Sequence, residues 1–456
     1  MLLLPAPKIA KDAAQAVKRI NHSHFLPITK ESLNTFLDLP GINVTHCHIE
    51  NQEGKQYLHL SCEHEHDIAI CPTCQQPCFS GYDTKARSVR HLDLFGMATI
   101  LHFPQRRFGC SVCGKPFTEQ LEWIDKKRRQ TRAFEDHIYE RVKKTPRKHV
   151  VAQEGLDEST VLDIFKKKAR EVRRNLRRGP ARVLGVDEIS AFKKLSQNLK
   201  HDEISNSYKA NQDFEIVTKQ QKQYVLVLSD LQRRCVLAVL PNRLKVTFEK
   251  WLCSLSKAER KAIKVVSMDM WEPYRQAVRK NLPHAQIVAD RFHVVKNLNH
   301  QLDLLRRKLQ READEKLAKA LKGSRWILLK NRSELTPAEE EKLRLILEAS
   351  QELRVIYLLK EEFRTICNKI RDKKRAERFL QAWKYKAICT GSRYLLKFAR
   401  TLSNWWSEFL NYFDDHVTQG FVEGINRAIR GIINRAFGFR NFDNFKLQIL
   451  VEHGST

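Results

Sequence analysis

The chain has 456 residues, of which 82 are Lys or Arg and 53 are Asp or Glu, so its formal net charge is +29. This length exceeds one ordinary hydrophobic core and predicts two to four domains. The cationic excess favours a polyanionic partner, either nucleic acid or an anionic membrane. No apolar run approaches the roughly 18 residues of a membrane-spanning helix, and the run at residues 1–5 lacks the basic leader of a signal peptide. We therefore expect nucleic acid and no membrane.

Two Cys-x-x-Cys pairs stand out among the 11 cysteines: Cys71 with Cys74, and Cys110 with Cys113. Thiolates two residues apart can hold one ion, and two such pairs complete a tetrahedral zinc site. The segment between the pairs is longer than the usual roughly 15–20 residues, but its strand-like runs predict a hairpin arm. We predict one structural Zn²⁺ and a reducing cytoplasm, with redox-active dithiols as the alternative. A second ion is conceivable at nearby residues that are more often incidental, namely Cys62, Cys78, His64 and His66.

A basic linker after residue 125 leads into helical patterns. Phe134, Ile138 and Val142 recur every four residues on one helical face. A short helix, a turn at Gly155 and a helix from Glu158 follow, which is the layout of a helix-turn-helix. The alternative is an ordinary helical hairpin, but the dense cations after residue 165 favour DNA contact. The DNA-contacting side chains predicted in this segment and in the zinc-binding segment are Arg106, Arg107, Ser159, Thr160, Lys166 and Lys167.

Two short apolar runs, Arg182–Asp187 and Lys264–Asp269, each end in an acidic residue. Their length and β-branched content predict buried strands that stop at the carboxylate. Ligands of open α/β sheets bind at such strand ends, and two carboxylates on neighbouring strands suit a shared divalent cation. An Asp after a strand is, however, often only a turn former or a helix cap. These runs therefore indicate either an active site or turn chemistry.

The runs belong to a longer pattern of three strands, a helix, a strand, a helix and a strand. Residues 223–229 and 234–240 predict a hairpin, and Val246 to Ile263 predicts one helix. This is the order expected of a ribonuclease H-like core, in which the first and fourth strands lie side by side. That adjacency predicts that Asp187 and Asp269 come together.

From Leu298 to about Phe413 the pattern changes to long helices, whose apolar stripes are predicted to be core. Thr336 to Glu339 predicts a capping box that begins one of them. The basic faces of these helices either contact DNA or are solvated.

The last segment predicts a helix on which Glu423, Arg427 and Arg430 share one face, followed by an aromatic tail with Arg440. The functional interpretation is a third carboxylate beside cations that hold DNA phosphates. The alternative is a surface pair of Glu and Arg side chains.

Taken together, these motifs resemble bacterial insertion-sequence transposases of the ISL-three type, a group of DDE transposases. The resemblance covers residues 71–454 and implies a DDE triad of Asp187, Asp269 and Glu423, with Asp290 and His293 at the periphery of the active site. It rests on the two cysteine pairs, the helix-turn-helix and four motifs in one order: Gly-Val-Asp187-Glu-Ile, Met-Asp269-Met-Trp-Glu-Pro-Tyr274, Val-Ala-Asp290-Arg-Phe-His293 and Glu423-Gly-Ile-Asn426.

The resemblance implies that two Mg²⁺ ions about 4 Å apart act on a phosphodiester. Asp187 would bridge both ions, while Asp269 and Glu423 would each hold one. Water would cut the transposon end, and the freed 3′-hydroxyl would attack target DNA. The N-terminal domains would read the terminal inverted repeats of double-stranded DNA at the bacterial nucleoid, and pairing two ends calls for at least a homodimer. The alternatives are a domesticated, catalytically inactive DNA-binding protein and a nuclease or resolvase that cuts without joining.

The expected architecture is a multidomain α/β protein. A ribonuclease H-like catalytic core is interrupted by an α-helical insertion and preceded by a zinc ribbon and a helix-turn-helix. The polar stretch His201 to Lys222 is expected to be a loop longer than the family's first hairpin. The expected bounds are 1–40 for a leader, 41–125 for the zinc ribbon, 126–178 for the helix-turn-helix, 179–298 for the first part of the core, 299–412 for the insertion and 413–456 for the end of the core.

Overall fold

The structure, a computed structural model, describes residues 30–79, 81–175, 179–191, 223–312, 318–319, 321–415, 420–439 and 441–454. The chain forms two compact units. The first contains Met1–Lys144 and Val150–Lys168, and the second contains Thr145–His149 and Ala169–Thr456. The expected loop from His201 to Lys222 and the expected DNA contact Arg440 lie outside the described residues.

The first unit is built on a five-stranded sheet of order β1-β2-β6-β5, with β7 added on β6. Strands β2 and β6 are parallel, and the other neighbours are antiparallel. The pairing of β5 with β6 forms the hairpin arm predicted between the two cysteine pairs. The elements are α1 (Lys30–Leu37), β1 (Ile42–Gln52), β2 (Lys55–His64), β3 (Ala69–Ile70), β4 (Pro77–Cys78), β5 (Gly81–Arg90), β6 (Ala98–Gly109) and β7 (Pro116–Thr118).

The two faces of this sheet differ in polarity. Alternate residues of β6, such as Leu101 and Phe103, point into an apolar core. On the opposite face a chain of polar side-chain contacts crosses four strands: Ser88 hydrogen-bonds His102, His102 hydrogen-bonds His59, and the His59 Nε2 lies 3.0 Å from the Glu50 carboxylate. Because each step joins neighbouring strands, the chain adds side-chain links to the backbone ladder.

Three helices complete the first unit: α2 (Arg132–Lys144), α3 (Arg147–Glu154) and α4 (Glu158–Asn175). The predicted apolar face of α2 is buried, with Phe134 and Ile138 fully enclosed. Asp157 caps α4 by accepting a hydrogen bond from the Thr160 backbone N–H at 2.8 Å, as predicted. The helices therefore have the helix, turn and helix order that the sequence predicted.

The second unit contains a five-stranded sheet of order β10-β9-β8-β11-β12. Strands β8, β9 and β10 are antiparallel neighbours, whereas β11 is parallel to both β8 and β12. The predicted adjacency of the first and fourth strands is confirmed. The elements are β8 (Val183–Ala191), β9 (Gln223–Asp230), β10 (Cys235–Leu240), α5 (Lys245–Ser254), α6 (Lys257–Ala262), β11 (Val265–Met268), α7 (Glu272–Asn281) and β12 (Gln286–Ala289).

Two predicted boundaries in this unit are wrong. Strand β8 does not stop at Asp187 but continues to Ala191, because β9 supplies hydrogen-bond partners along its full length. The helix predicted from Val246 to Ile263 is two helices, α5 and α6. Ser256 begins the second with a capping box, in which its hydroxyl accepts from the Glu259 N–H at 3.2 Å.

Helices cover both faces of this sheet. Helices α5 and α7 pack on the face formed by Leu184 and Val186. The opposite face, which carries Ile189 and Val227, packs against the two C-terminal helices, α16 (Gly420–Arg435) and α17 (Phe442–His453). Because side chains alternate along a strand, Gly185 and Asp187 point toward α16.

Between β12 and α16 lies a helical region whose apolar cluster around Trp383 and Phe363 includes the buried Trp405 and reaches the sheet at Val183 and Val265. The predicted capping box at Thr336 is confirmed. The helices are α8 (Arg291–Glu312), α9 (Arg325–Leu329), α10 (Pro337–Ala349), α11 (Gln351–Lys369), α12 (Lys373–Cys389), α13 (Arg393–Asn404), α14 (Trp406–Leu410) and α15 (Tyr412–Asp415).

Lys360 is a fully buried cation in this region. Its ammonium donates hydrogen bonds to the backbone oxygens of Leu328 at 2.7 Å and Lys330 at 3.2 Å and lies 2.7 Å from the Glu361 carboxylate. Burial lowers the pKa of Lys360 to about 8, although the Glu361 carboxylate opposes that effect. The side chain thus joins the end of α9 to α11.

We expect Lys360→Met to lower the free energy of unfolding by about 1–3 kcal/mol, because buried carbonyl oxygens lose their donor. In urea titrations of the wild type, the contribution of this lysine raises stability as pH increases from about 8 to 10.5, since the folded chain releases the proton before the unfolded chain does. That rise should be absent from Lys360→Met. Lys369→Met, an exposed change on the same helix, should match the wild type; equal stability of Lys360→Met would contradict this assignment.

Candidate active site and DNA-contacting residues

Asp187 occupies the middle of β8, level with the carboxyl end of β11, where Met268 pairs with Val186. Its side chain is 8% exposed. The carboxylate accepts a hydrogen bond from the Asn426 amide at 2.5 Å and another from the Glu188 backbone N–H at 2.7 Å. Helix α16 and the strand itself therefore fix the orientation of this buried acid.

Asp269 and Asp290 follow β11 and β12, so both lie at the same edge of the sheet. His293, in the first turn of α8, places its Nδ1 2.8 Å from the Asp290 carboxylate and in direct contact with that of Asp269. The potential ligand atoms of Asp187, Asp269 and His293 all lie within 4.8 Å of one another. The predicted meeting of Asp187 and Asp269 is thus confirmed, and His293 lies closer to them than a peripheral position implies.

The pKa values of two residues in this group, Asp187 and His293, are strongly shifted. Burial, followed by the negative charge of Asp269, raises the pKa of Asp187 to about 6. Burial opposes the charged form of His293, but hydrogen bonds to Asp269 and Asp290 outweigh it and raise the pKa of His293 to about 10. Close carboxylates that favour a nearby positive charge are typical of a cation-binding or catalytic site.

Glu423 lies in the first turn of α16 with an exposed side chain. It lines a cavity of about 540 Å³ together with Asp187, Asp290, His293 and the exposed Arg430. Within the described residues, Glu423 is not part of the 4.8 Å group of Asp187, Asp269 and His293. The structure therefore places the third acid on the same cavity wall as Asp187 and outside that group.

Gly185 permits the close packing of α16 on β8. A methyl group on its Cα would lie 2.7 Å from the Leu231 Cδ2 and 3.3 Å from the Val422 Cγ2. Val422 precedes Glu423, and Asn426, one helical turn later, bonds Asp187. The small residue thus determines how closely the helix bearing Glu423 approaches the strand bearing Asp187.

We expect Gly185→Val to displace α16 and to reduce cleavage of cognate DNA at least tenfold, with a stability loss of about 1–3 kcal/mol from overpacking. Single-turnover cleavage and urea denaturation measure the two effects. Gly185→Ala combined with Leu231→Ala should recover much of the activity, because the second change removes the side-chain atoms that lie nearest the new methyl group. Gly431→Ala, where no atom lies within 4 Å of the new methyl group, should behave as the wild type; full activity of Gly185→Val would refute the packing role.

The four predicted zinc ligands form one cluster in the first unit. The Sγ atoms of Cys71 and Cys113 are 3.7 Å apart, and those of Cys74 and Cys110 are 3.4 Å apart. The Cys113 backbone N–H, which donates to the Cys110 Sγ, is the main cause that lowers the pKa of Cys110 to about 6. Backbone stabilisation of a thiolate in a four-sulfur cluster fits Zn²⁺.

The proposed second ion has no such cluster in the described part of the chain. Cys62 lies in the core of the first sheet, and burial raises its pKa to about 12. His64 bonds the Pro104 backbone oxygen and approaches Glu119. Within the described residues, no group of potential metal ligands joins Cys62 or Cys78 to His64 or His66.

Several predicted DNA contacts already have partners within the protein. Arg106 forms a two-pronged ion pair with Glu119, and Lys167 contacts Asp125 and lies 2.6 Å from Glu135. The hydroxyls of Ser159 and Thr160 donate to Asp157 at the start of α4. Their roles in DNA binding remain predictions. The remaining predicted contacts in the described chain are exposed or half-buried: Arg107, Lys166, Arg427 and Arg430.

Sequence reasoning did not assign roles to two groups in this site. Asn426 orients Asp187, although it lies in the Glu423-Gly-Ile-Asn426 motif already noted. On the other face of β8, the Tyr274 hydroxyl donates to Glu188 at 2.7 Å and so links α7 to the residue after Asp187. Asn426, Tyr274 and Glu188 all lie in the sequence motifs that contain the acids. That membership is the sequence signal that could have identified them.

Three family models match the chain. One described as a transposase matches residues 214–449. One described as the zinc finger of transposases IS204, IS1001, IS1096 and IS1165 matches residues 68–113. One described as the helix-turn-helix domain of transposase family ISL3 matches residues 119–167. Asp187 precedes the first of these matches, whereas Asp269 and Glu423 lie within it.

Individual relatives point the same way. The chain is 27% identical over 388 residues to the transposase for insertion sequence element IS1001 of Bordetella parapertussis, covering 84% of this chain and 88% of the relative. It is also 27% identical over 251 residues to the transposase for element IS1557 of Mycobacterium tuberculosis, covering 50% of this chain and 56% of the relative.

None of the helices in the described part of the chain has the length and apolar content needed to span a membrane.

Proposed function

The chain belongs to the ISL3 family of insertion-sequence transposases, and from that premise we propose that it cuts DNA at the ends of its element and joins the freed 3′ ends to target DNA. One observation carries the proposal. Asp187, Asp269 and His293 converge within 4.8 Å at the edge of the sheet, and the cavity wall that includes Asp187 also carries Glu423. Attack on a phosphodiester with the help of two metal ions needs carboxylates that can hold the ions where DNA reaches them, and the acids of this cavity supply such ligands.

We propose that the second unit is a ribonuclease H-like core interrupted by a helical insertion. The strand order β10-β9-β8-β11-β12, with the first three strands antiparallel and the last two parallel to β8, supports this assignment. The insertion would span residues 299–412, and residues 413–456 would complete the core with Glu423. The N-terminal unit would comprise a zinc ribbon at 41–125 and a helix-turn-helix at 126–178, after a leader at 1–40.

Asp187, Asp269 and Glu423 are the proposed catalytic acids and Mg²⁺ ligands. The donor set fits the ion, because hard cations prefer carboxylate oxygens. The raised pKa of Asp187, caused by burial and by Asp269, also indicates a site that favours an added positive charge. Asp187, Asp269 and Glu423 would hold two Mg²⁺ ions, which would supply an activated nucleophile and neutralise charge on the phosphate.

The neighbouring residues of the chain would keep these acids in place. Asn426 holds the Asp187 carboxylate through its amide. Asp290 holds the His293 ring, which in turn contacts Asp269. We propose that Asp290 and His293 act as positioning residues at the edge of the active site, and that Arg427, Arg430 and Arg440 bind phosphates of the strand being cut.

We propose that the first unit recognises the double-stranded terminal inverted repeats. One Zn²⁺ held by the four clustered cysteines would stabilise the ribbon, and the helix-turn-helix would enter the major groove. The proposed contacts are Arg106, Arg107, Ser159, Thr160, Lys166 and Lys167. Because transposition pairs two ends, a homodimer is the smallest assembly that completes the reaction.

A strand-transfer assay tests this function against its two alternatives. Purified protein, labelled end DNA and a circular target are incubated with Mg²⁺, and joined products are separated by electrophoresis. We expect labelled ends covalently joined to the target. Cut ends without joining would indicate a nuclease or resolvase, and bound but uncut ends would indicate an inactive DNA-binding protein; either result overturns the proposal.

A further inference from the structure

A second cavity, of about 550 Å³, lies beside the candidate active site and shares Arg291, Phe292 and Lys296 with it. One of its walls is α8, which begins directly after Asp290 and leads away from the acids. The opposite wall comes from α9 and α11. We call this cavity the α8 cleft.

The α8 cleft is strongly basic. One carboxylate, Asp303, is among its described lining residues; it lies 2.8 Å from Arg306, 2.8 Å from the lining Arg307 and 3.8 Å from the lining Arg325, so one acid faces five cations. Lys296 makes no hydrogen bond or ion pair with any described residue. The excess charge therefore faces the cleft, where it favours an anionic ligand. The lining cations are Arg291, Lys296, Arg307, Arg325 and Arg364.

Two further side chains suit a nucleic-acid base rather than a simple anion. The Phe292 ring lies at the junction of the two cavities. It is 52% exposed and is therefore not packed into the core. Asn299 also lines the cleft, and its buried Oδ1 has no hydrogen-bond partner among the described residues, so its amide is free to turn toward a ligand. An aromatic face can stack on any base, and an unpaired amide can bond a base edge.

We infer that the α8 cleft binds an unpaired stretch of the DNA strand that runs through the active site, with its phosphates on the cations and a base stacked on Phe292. The inference rests on the proposed function, since it assumes that the acids act on DNA. A volume of about 550 Å³ is that of a small-ligand pocket, so the cavity itself takes roughly one or two nucleotides of a single strand and no duplex, while further phosphates of that strand contact the cations along α8. The strand must therefore leave its partner near the acids.

The geometry of α8 sets the length of strand that is bound. Arg291 and Arg307 lie 16 residues apart on this helix, which corresponds to about 24 Å at 1.5 Å per residue. At about 3.4 Å per nucleotide of a stacked strand, that distance accommodates roughly seven nucleotides. Affinity should therefore rise with the length of the unpaired strand up to about seven nucleotides and then level off.

Binding of end duplexes with single-stranded overhangs tests the inference. The overhangs contain zero to ten nucleotides, and affinity is measured by fluorescence anisotropy without added divalent ions, so that no cleavage intervenes. In the wild type, affinity should increase at least tenfold across the series. In Arg307→Glu with Arg325→Glu this increase should disappear, and the salt dependence of overhang binding should fall by about 1.4 in log–log slope for two lost phosphate contacts.

The matched control is Arg344→Glu, an exposed change on α10 whose arginine pairs with Glu341 and Glu348 outside the cleft. It should keep the full overhang effect. Thermal denaturation shows whether each variant is folded. If the double variant does not fold, the single variant Arg325→Ala takes its place in the binding assay. A wild type that gains no affinity from overhangs, or gains as much from duplex extensions, overturns the inference. The overhang assay measures binding without cleavage, so the two proposals can fail separately. Loss of strand transfer with an intact overhang effect would overturn the proposed function and leave the inferred strand binding in place.

A fluorescent base reports stacking on Phe292. With 2-aminopurine at the first unpaired position, binding to the wild type should quench its fluorescence, and Phe292→Tyr should preserve the quenching. Phe292→Ala should abolish it and weaken overhang binding at least fivefold, since the variant loses the aromatic face on which a base would stack. Equal quenching by Phe292→Ala would contradict a stacking role for this ring.

Discussion

Replacing Asp187 by alanine is expected to abolish cleavage of transposon-end DNA while leaving binding of that DNA intact. Asp187 is buried and lies within 4.8 Å of ligand atoms of Asp269 and His293, so its loss removes the centre of the proposed site. Losing several kcal/mol of charge stabilisation lowers the rate by a factor on the order of 10³ or more. Single-turnover cleavage in Mg²⁺ measures the rate, and fluorescence anisotropy measures binding.

The matched control is Asp443→Asn, which removes an exposed carboxylate from the first turn of α17 in the same unit. We expect it to cut at the wild-type rate. If Asp187→Ala still nicks end DNA in Mg²⁺, the assignment of this acid is wrong. If it loses binding as well as cleavage, the separation of recognition from chemistry is wrong.

Cys110→Ser is expected to remove the bound zinc and to abolish recognition of the terminal repeats. Cys110 lies in the four-sulfur cluster, and a hydrogen bond from the Cys113 backbone favours its thiolate. A structural zinc contributes on the order of 10–16 kcal/mol to the folding of a small domain. Metal content by mass spectrometry and end binding by anisotropy should therefore fall together, from one zinc per chain to nearly none.

Cys47→Ser is the control, because this cysteine is exposed in the same unit and outside the cluster. It should keep one zinc and normal affinity. Treatment of the wild type with a strong chelator should reproduce the Cys110→Ser result, and added Zn²⁺ should reverse it. A Cys110→Ser protein with full zinc content and normal end binding would contradict the assignment.

The strands of the second unit were predictable because an apolar run is a local signal. The apolar runs before Asp187 and Asp269 read as buried strands, and the order of elements implied that those strands are neighbours; both expectations are confirmed. The cysteine pairs were equally predictable, since their spacing carries the ligand chemistry. Each strand and each cysteine pair is thus signalled by a short segment, whereas the adjacency of the strands followed from the order of the elements.

The errors arise where a partner elsewhere in the chain decides the outcome. Strand β8 continues beyond Asp187 because β9 pairs with it there. The residues after Asp187 contain no sequence signal for that pairing. The break at Ser256 was in principle visible, since Ser256 and Glu259 have capping-box spacing. Apolar residues on either side of it suggested one continuous helix.

The side chains of the site were harder to predict than its position. Sequence spacing favoured Lys167 and Arg106 as DNA contacts, but both form ion pairs within the protein that no local pattern reveals. The closeness of His293 to Asp269, the hydrogen bond from Asn426 to Asp187 and the α8 cleft each join segments far apart in the chain. Their discovery required the tertiary structure.

Anomalous diffraction from Mn²⁺, in crystals of the protein bound to end DNA with a non-hydrolysable scissile linkage, tests the central claim most directly. We expect two manganese peaks about 4 Å apart, one ligated by Asp187 and Asp269 and the other by Asp187 and Glu423, with the scissile phosphate between them. Binding of DNA must then bring Glu423 toward the other acids from its place on the cavity wall. A DNA-bound complex whose ions lack any contact with Glu423 would contradict the account.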